Sequence, residues 1–193
     1  MKWKSHISKL NTVLSRNVGI ISRVRYFLKS KQLLLLYNSL FLSHVNYCCF
    51  LYSNTYSSNT YETEKLQKRA VRMVDGQPRL AHTAPIFKKL KLLRLRDIGK
   101  QQMLLLLHRK LKAYMPSQID ELFIVAEPSR NNRTVKHFVE LFTYKVYKTH
   151  TISWLGPRLW NSVLGPMYPT VQTVPASKYI VKKVTKNYFL SQY

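Results

Sequence analysis

The stretch Leu33–Tyr52, LLLLYNSLFLSHVNYCCFLY, carries no charged residue over 20 positions. As a helix it would be about 30 Å long, enough to cross a bilayer core. Asn38, Ser39, Ser43, His44 and Asn46 interrupt it, and that many polar groups in one span oppose insertion into lipid. The stretch therefore reads as a helix over 32–52, apolar on most sides and central to the core of a folded protein.

Upstream, Ile7, Leu10, Leu14, Val18, Ile21, Val24 and Leu28 recur every three or four residues, which predicts an amphipathic helix over 5–29. Arg16, Arg23 and Arg25 lie off that stripe. Downstream, Asn54 to Asn59 is a polar turn. The next helix is expected to take Ser58 or Asn59 as its cap, with Glu62 and Glu64 in its first turn, and to stop at Asp75-Gly76. Leu66, Ala70 and Met73 are its expected buried line. A short helix over 84–93 and a longer one over about 94–114 follow, the latter ending before Pro116.

Residues 127–136 are polar and basic and read as a linker between a helical region, 1–126, and a C-terminal segment, 127–193. In that segment Phe138–Ile152 is rich in β-branched and aromatic residues and predicts one or two short strands. Gly156-Pro157 is expected to start a short helix, and Ile180, Val184 and Tyr188 mark the inner face of a last basic helix. The fold class is mainly α, with a small α+β C-terminal segment.

Charge narrows the function. Lys and Arg number 32 against 8 Asp and Glu, a net charge of +24. The excess runs through the whole length: residues 1–61 hold eight basic residues and no acid, and 128–193 hold ten basic residues and one acid, Glu140. A body this positive calls for an anionic partner. The 13 Tyr residues interleaved with the cations favour nucleic acid over a membrane surface, because they can stack on bases.

Carboxylate chemistry has little to work with. A polymerase centre needs two or three carboxylates holding metal ions, and no Asp-Asp pair exists. Asp120-Glu121 follows a Pro and reads as a helix start, and Glu62-Thr63-Glu64-Lys65 as an N-terminal turn. His82 and His108 have no evident Ser or Cys partner, and no phosphate loop or zinc pattern occurs. The adjacent Cys48 and Cys49 are expected to be reduced and intracellular, in nucleus or cytoplasm.

Two groups of residues, taken together, resemble a known family. The first is Leu36-Tyr37-Asn38-Ser39-Leu40, Tyr47-Cys48 and Lys65-Leu66-Gln67-Lys68-Arg69-Ala70-Val71-Arg72. It continues through His82-Thr83, Pro85-Ile86-Phe87, Leu90-Lys91-Leu92-Leu93 and Leu95-Arg96-Asp97-Ile98. The second is Gly156-Pro157-Arg158-Leu159-Trp160-Asn161-Ser162. In this order they resemble the region after the catalytic palm in reverse transcriptases of non-LTR retrotransposons, of the Jockey-like and related groups. Phe50 and Tyr52 stand where that family usually has Trp.

The resemblance implies a helical thumb-like bundle and C-terminal segment of an RNA-directed DNA polymerase, without the family's endonuclease or palm. This chain alone is then expected to be no enzyme, to use no cofactor or metal, and to take no small-molecule substrate. Its expected partners are the backbone of RNA or an RNA/DNA hybrid and the rest of the polymerase, with no membrane. The phosphate-binding candidates are Lys65, Lys68, Arg69 and Arg72 on one helix face, with Lys88, Lys89, Lys91, Arg94 and Arg96 as a second patch. The alternative is a structural docking module, or a remnant without function, lacking affinity for nucleic acid of its own.

Overall fold

A computed structural model of the chain describes residues 3–126, 137–145, 149–168 and 173–193. It is mainly helical. The chain forms two compact units, Met1–Gly99 with Phe189–Tyr193, and Lys100–Tyr188. The expected boundary at 126/127 falls inside the second unit, and the expected linker 127–136 lies outside the described residues.

In the first unit, α1 (Lys4–Val24) packs on α5 (Ser57–Val74). Ile7, Leu10, Leu14, Val18 and Ile21 are buried, as their spacing requires. The helix stops at Val24, short of the expected 29, so Val24 and Leu28 are only half-buried. Thr63 donates to Asn11 Oδ1 across the pair at 2.7 Å.

The uncharged stretch is not one helix. It forms α2 (Ser30–Leu36), a π-helical turn (Tyr37–Leu42), α3 (Ser43–Asn46) and α4 (Cys49–Tyr52). Its buried residues are Leu33, Tyr37, Phe41, Val45, Cys49 and Tyr52. A spacing of four outruns the 3.6-residue α turn, and the wider π turn takes up the excess, keeping Tyr37 and Phe41 on the inner line. Their rings stack with centroids 5.2 Å apart. Tyr47 is extended and Cys48 left-handed (φ 51°), which turns the chain before α4. The Tyr52 hydroxyl donates back to the Val45 carbonyl at 2.7 Å, answering an acceptor that the break exposes.

α5 starts earlier than its cap residues suggested. Tyr56 precedes it, so Glu62 and Glu64 lie beyond the first turn. They bind cations instead: Glu62 pairs with Lys65 at 3.6 Å, and Glu64 with Arg96 at 3.0 Å. The buried side is Thr60, Thr63, Gln67, Ala70, Val71, Met73 and Val74, leaving Leu66 half-buried. The end at Asp75-Gly76 is a Schellman turn. Gly76 takes φ 69°, and Gln77 N–H donates to Arg72 O at 2.9 Å. α6 (Ala84–Lys89) buries Ile86 and Phe87, and α7 (Leu95–Leu111) follows.

In the second unit, α8 is short (Ser117–Asp120), and α9 (Ile152–Val163) buries Gly156, Pro157, Trp160 and Val163. α9 begins at Ile152 and carries Pro157 inside, so Gly156-Pro157 does not open it. Among the described residues the expected strands reduce to one antiparallel bridge, Val125 with Phe138; 139–145 form none, and 146–148 lie outside the described residues. The reason is in α9. Asn161 accepts from the backbone N–H of His137 and Phe138 at 3.1 and 3.3 Å, and donates to Phe138 O at 2.9 Å. A side chain thus takes backbone groups that a neighbouring strand would need. Trp160 Nε1 donates to His137 Nδ1 at 2.9 Å, and burial holds that imidazole below its usual pKa.

α10 (Lys178–Ser191) turns a different face inward from the one expected: Val181, Thr185 and Phe189 are buried, while Ile180 is exposed and Val184 and Tyr188 are half-buried. Both sets have helical spacing. Gln101 selects between them by donating to Lys182 O and Thr185 Oγ1 at 3.0 and 3.2 Å.

Candidate nucleic-acid interface

The α1–α5 pair leaves a groove along its outer seam. One hollow along it has a volume of about 780 Å³. Arg25 at the end of α1, Lys65, Arg69 and Arg72 on α5, and Arg79 in the following loop all line it. These five cations face one acid, Glu62, which Lys65 already holds at 3.6 Å.

Two further hollows extend the seam. One, about 650 Å³, shares Glu62 and Leu66 and adds Lys4 and Arg16. The other, about 660 Å³, shares Arg25, Gln77 and Arg79 and adds Tyr26. The shared residues make one continuous track within this unit.

Local structure explains the placement. Lys65, Arg69 and Arg72 are spaced four and three apart, so one α5 stripe presents them. Arg72 Nε donates to Ala81 O at 2.7 Å, which ties the loop carrying Arg79 to the helix. Arg25 lies 4.6 Å over the Tyr26 ring and donates to its hydroxyl. Like charges about 8 Å apart near a surface repel by about 2 kcal/mol, a strain that a polyanion relieves.

Of the first predicted group, Lys65, Arg69 and Arg72 meet in the groove. Lys68 is exposed and does not line it. The second predicted group does not form a patch there. Lys89 binds Asp75 at 2.6 Å, fastening α6 to the end of α5. Arg96 binds Glu64 and also donates to Ser57 Oγ at 2.7 Å, fastening the start of α7 to α5. Arg94 stacks over the Tyr193 ring at 4.3 Å. Lys88 and Lys91 are exposed. Three of these five cations therefore hold the unit together.

Arg25 and Arg79 belong to the groove and were not among the sequence candidates. Arg25 had a signal, as a cation off the α1 stripe. Arg79, between Pro78 and Leu80, had none.

Among the described residues, no group of three or more His, Cys, Asp and Glu is placed to hold a metal. Burial pushes the Cys49 thiol up to about 12, the wrong direction for a nucleophile. His108 is buried with Nε2 2.7 Å from Pro175 O. Asp120 is held by Lys110. No described helix is long and apolar enough to cross a membrane. No family model, curated protein or solved structure matches the chain.

Proposed function

We propose that this chain binds nucleic acid through the α1–α5 groove, as a fragment of a non-LTR retrotransposon reverse transcriptase that follows the catalytic palm. The partner is the phosphate backbone of RNA or an RNA/DNA hybrid, and the chain alone catalyses no polymerisation. The observation that carries this reading is the clustering of Arg25, Lys65, Arg69, Arg72 and Arg79 around one hollow whose single acid, Glu62, is already paired, with the next acid along the track, Asp75, held by Lys89. Residues distant in sequence converge there, which a merely solvated basic surface does not require. The sequence resemblance is what selects the retrotransposon family.

Affinity on this reading comes from counterion release, so it falls steeply with salt. With about six phosphates contacted, the loss is roughly a thousandfold between about 50 and about 200 mM salt. The test is a filter-binding titration of the wild type and of R69E/R72E against an RNA/DNA hybrid at several salt concentrations. The variant should bind at least tenfold more weakly and show a flatter slope of log K against log salt. An unchanged affinity would remove the groove from consideration. Primer extension by the purified chain would overturn the assignment of catalysis elsewhere.

A further inference from the structure

The groove does not end in polar residues. Beyond Arg25 the chain leaves α1 through a tight turn, with the N–H groups of Phe27 and Leu28 both donating to Val24 O at 3.0 and 3.2 Å. That turn presents Tyr26 at 75% exposure and Phe27 at 87%. Two large exposed rings cost apolar hydration, and of the two Tyr26 lines the adjoining hollow while Phe27 follows it on the turn. Neither is needed by the α1 stripe, which is complete at Ile21.

Arg25 lies over the Tyr26 ring, and Tyr26 lines the hollow that continues the track. An exposed aromatic beside a line of guanidinium groups is the composition of a site for unpaired bases: cations follow the backbone while rings stack on exposed bases. A duplex offers phosphates and base edges to such a groove but no free base face on which a ring can stack.

We propose that the Tyr26–Phe27 end of the groove takes unpaired bases of a single strand, whose backbone runs along Arg25, Arg69 and Arg72. This rests on the reading of the groove as a nucleic-acid interface and adds which strand form it prefers. The bases are read by stacking alone, so the site tolerates any sequence.

The experiment compares Y26A/F27A with the wild type by fluorescence anisotropy. The probes are a labelled 12-nucleotide single-stranded RNA and a 12-base-pair duplex. Both substituted side chains are exposed, and an unchanged far-UV circular dichroism spectrum confirms folding. The variant should lose about tenfold on the single strand and less than twofold on the duplex, because stacking on one base supplies that much. Its salt slope should stay unchanged, because no charge is removed. Equal loss on both probes, or no loss on either, would overturn the stacking site while leaving the interface standing. A wild type that binds neither probe would overturn both.

Discussion

Gln67 lies on a helix otherwise marked by its cations, yet it is only 2% exposed. Its Nε2 donates to Tyr37 Oη at 3.1 Å and to Leu93 O at 2.9 Å, and its Oε1 accepts from Leu95 N–H at 2.9 Å. One side chain thereby joins the π turn and the α6–α7 link to α5. Burial keeps the Tyr37 hydroxyl protonated, above the usual tyrosine range. In sequence Gln67 stands among Lys65, Lys68 and Arg69 and so resembles a surface position. Spacing would have placed it inside, four before Val71 and three before Ala70. Gln67→Met keeps the volume and removes every partner. Three buried polar groups are then left unpaired, at about 1 kcal/mol or more each. Urea unfolding should show a loss of about 3 kcal/mol, as a lower midpoint with the slope preserved. A loss under about 0.5 kcal/mol would mean that water or a neighbour replaces the amide.

At the scale of elements, helix ends follow one rule with different residues. The turn after α5 uses Gly76, and two other helices end in the same pattern without glycine. Lys91 takes φ 52° after α6, with Leu92 N–H bonded to Phe87 O at 2.9 Å. Ala113 takes φ 57° after α7, with Tyr114 N–H bonded to Arg109 O at 2.9 Å. A β-carbon in that region costs about 1 kcal/mol. Ala113→Gly removes the cost and keeps both turn bonds, while adding some entropy to the unfolded chain. The expected net gain is about 0.5 kcal/mol, read as a small rise in the thermal or urea midpoint. A fall would mean that the alanine methyl packs against something. The end of α5 is legible because glycine marks it, and the end of α7 because Pro116 follows within a few residues, whereas the break at Cys48 carries no local signal. The α1 stripe was legible for the same reason as the stripe of Lys65, Arg69 and Arg72: both are written within one helix. The groove as a whole was not, because Arg25 and Arg79 reach it only through the packing of α1 on α5 and the Arg72–Ala81 bond. The pairing of two cations of the second group was not legible for the same reason. Its acids, Glu64 and Asp75, come from a different helix and neutralise Arg96 and Lys89.

For the whole molecule the governing quantity is the +24 charge. Two electrostatic effects oppose each other. Ion pairs such as Lys89–Asp75 and Arg96–Glu64 favour the fold, but with partly exposed cations each contributes about 1 kcal/mol at most. Repulsion among 32 cations with only eight acids opposes it. Cations outnumber acids fourfold, so repulsion outweighs the pairs. Raising salt from about 10 to about 150 mM shortens the screening length from about 30 to about 8 Å. This weakens long-range repulsion more than contacts under 4 Å. Sodium chloride over that range should therefore raise the melting temperature by about 3–6 °C, equivalent to about 1–2 kcal/mol for a chain of this size. A single-stranded RNA added at low salt should raise it further, because binding to the folded form alone adds stability by mass action. The measurement is a far-UV circular dichroism melt at fixed protein concentration. A melting temperature that falls with salt would mean that the ion pairs dominate. A rise with salt but none with RNA would leave the charge unbalanced by any nucleic-acid partner.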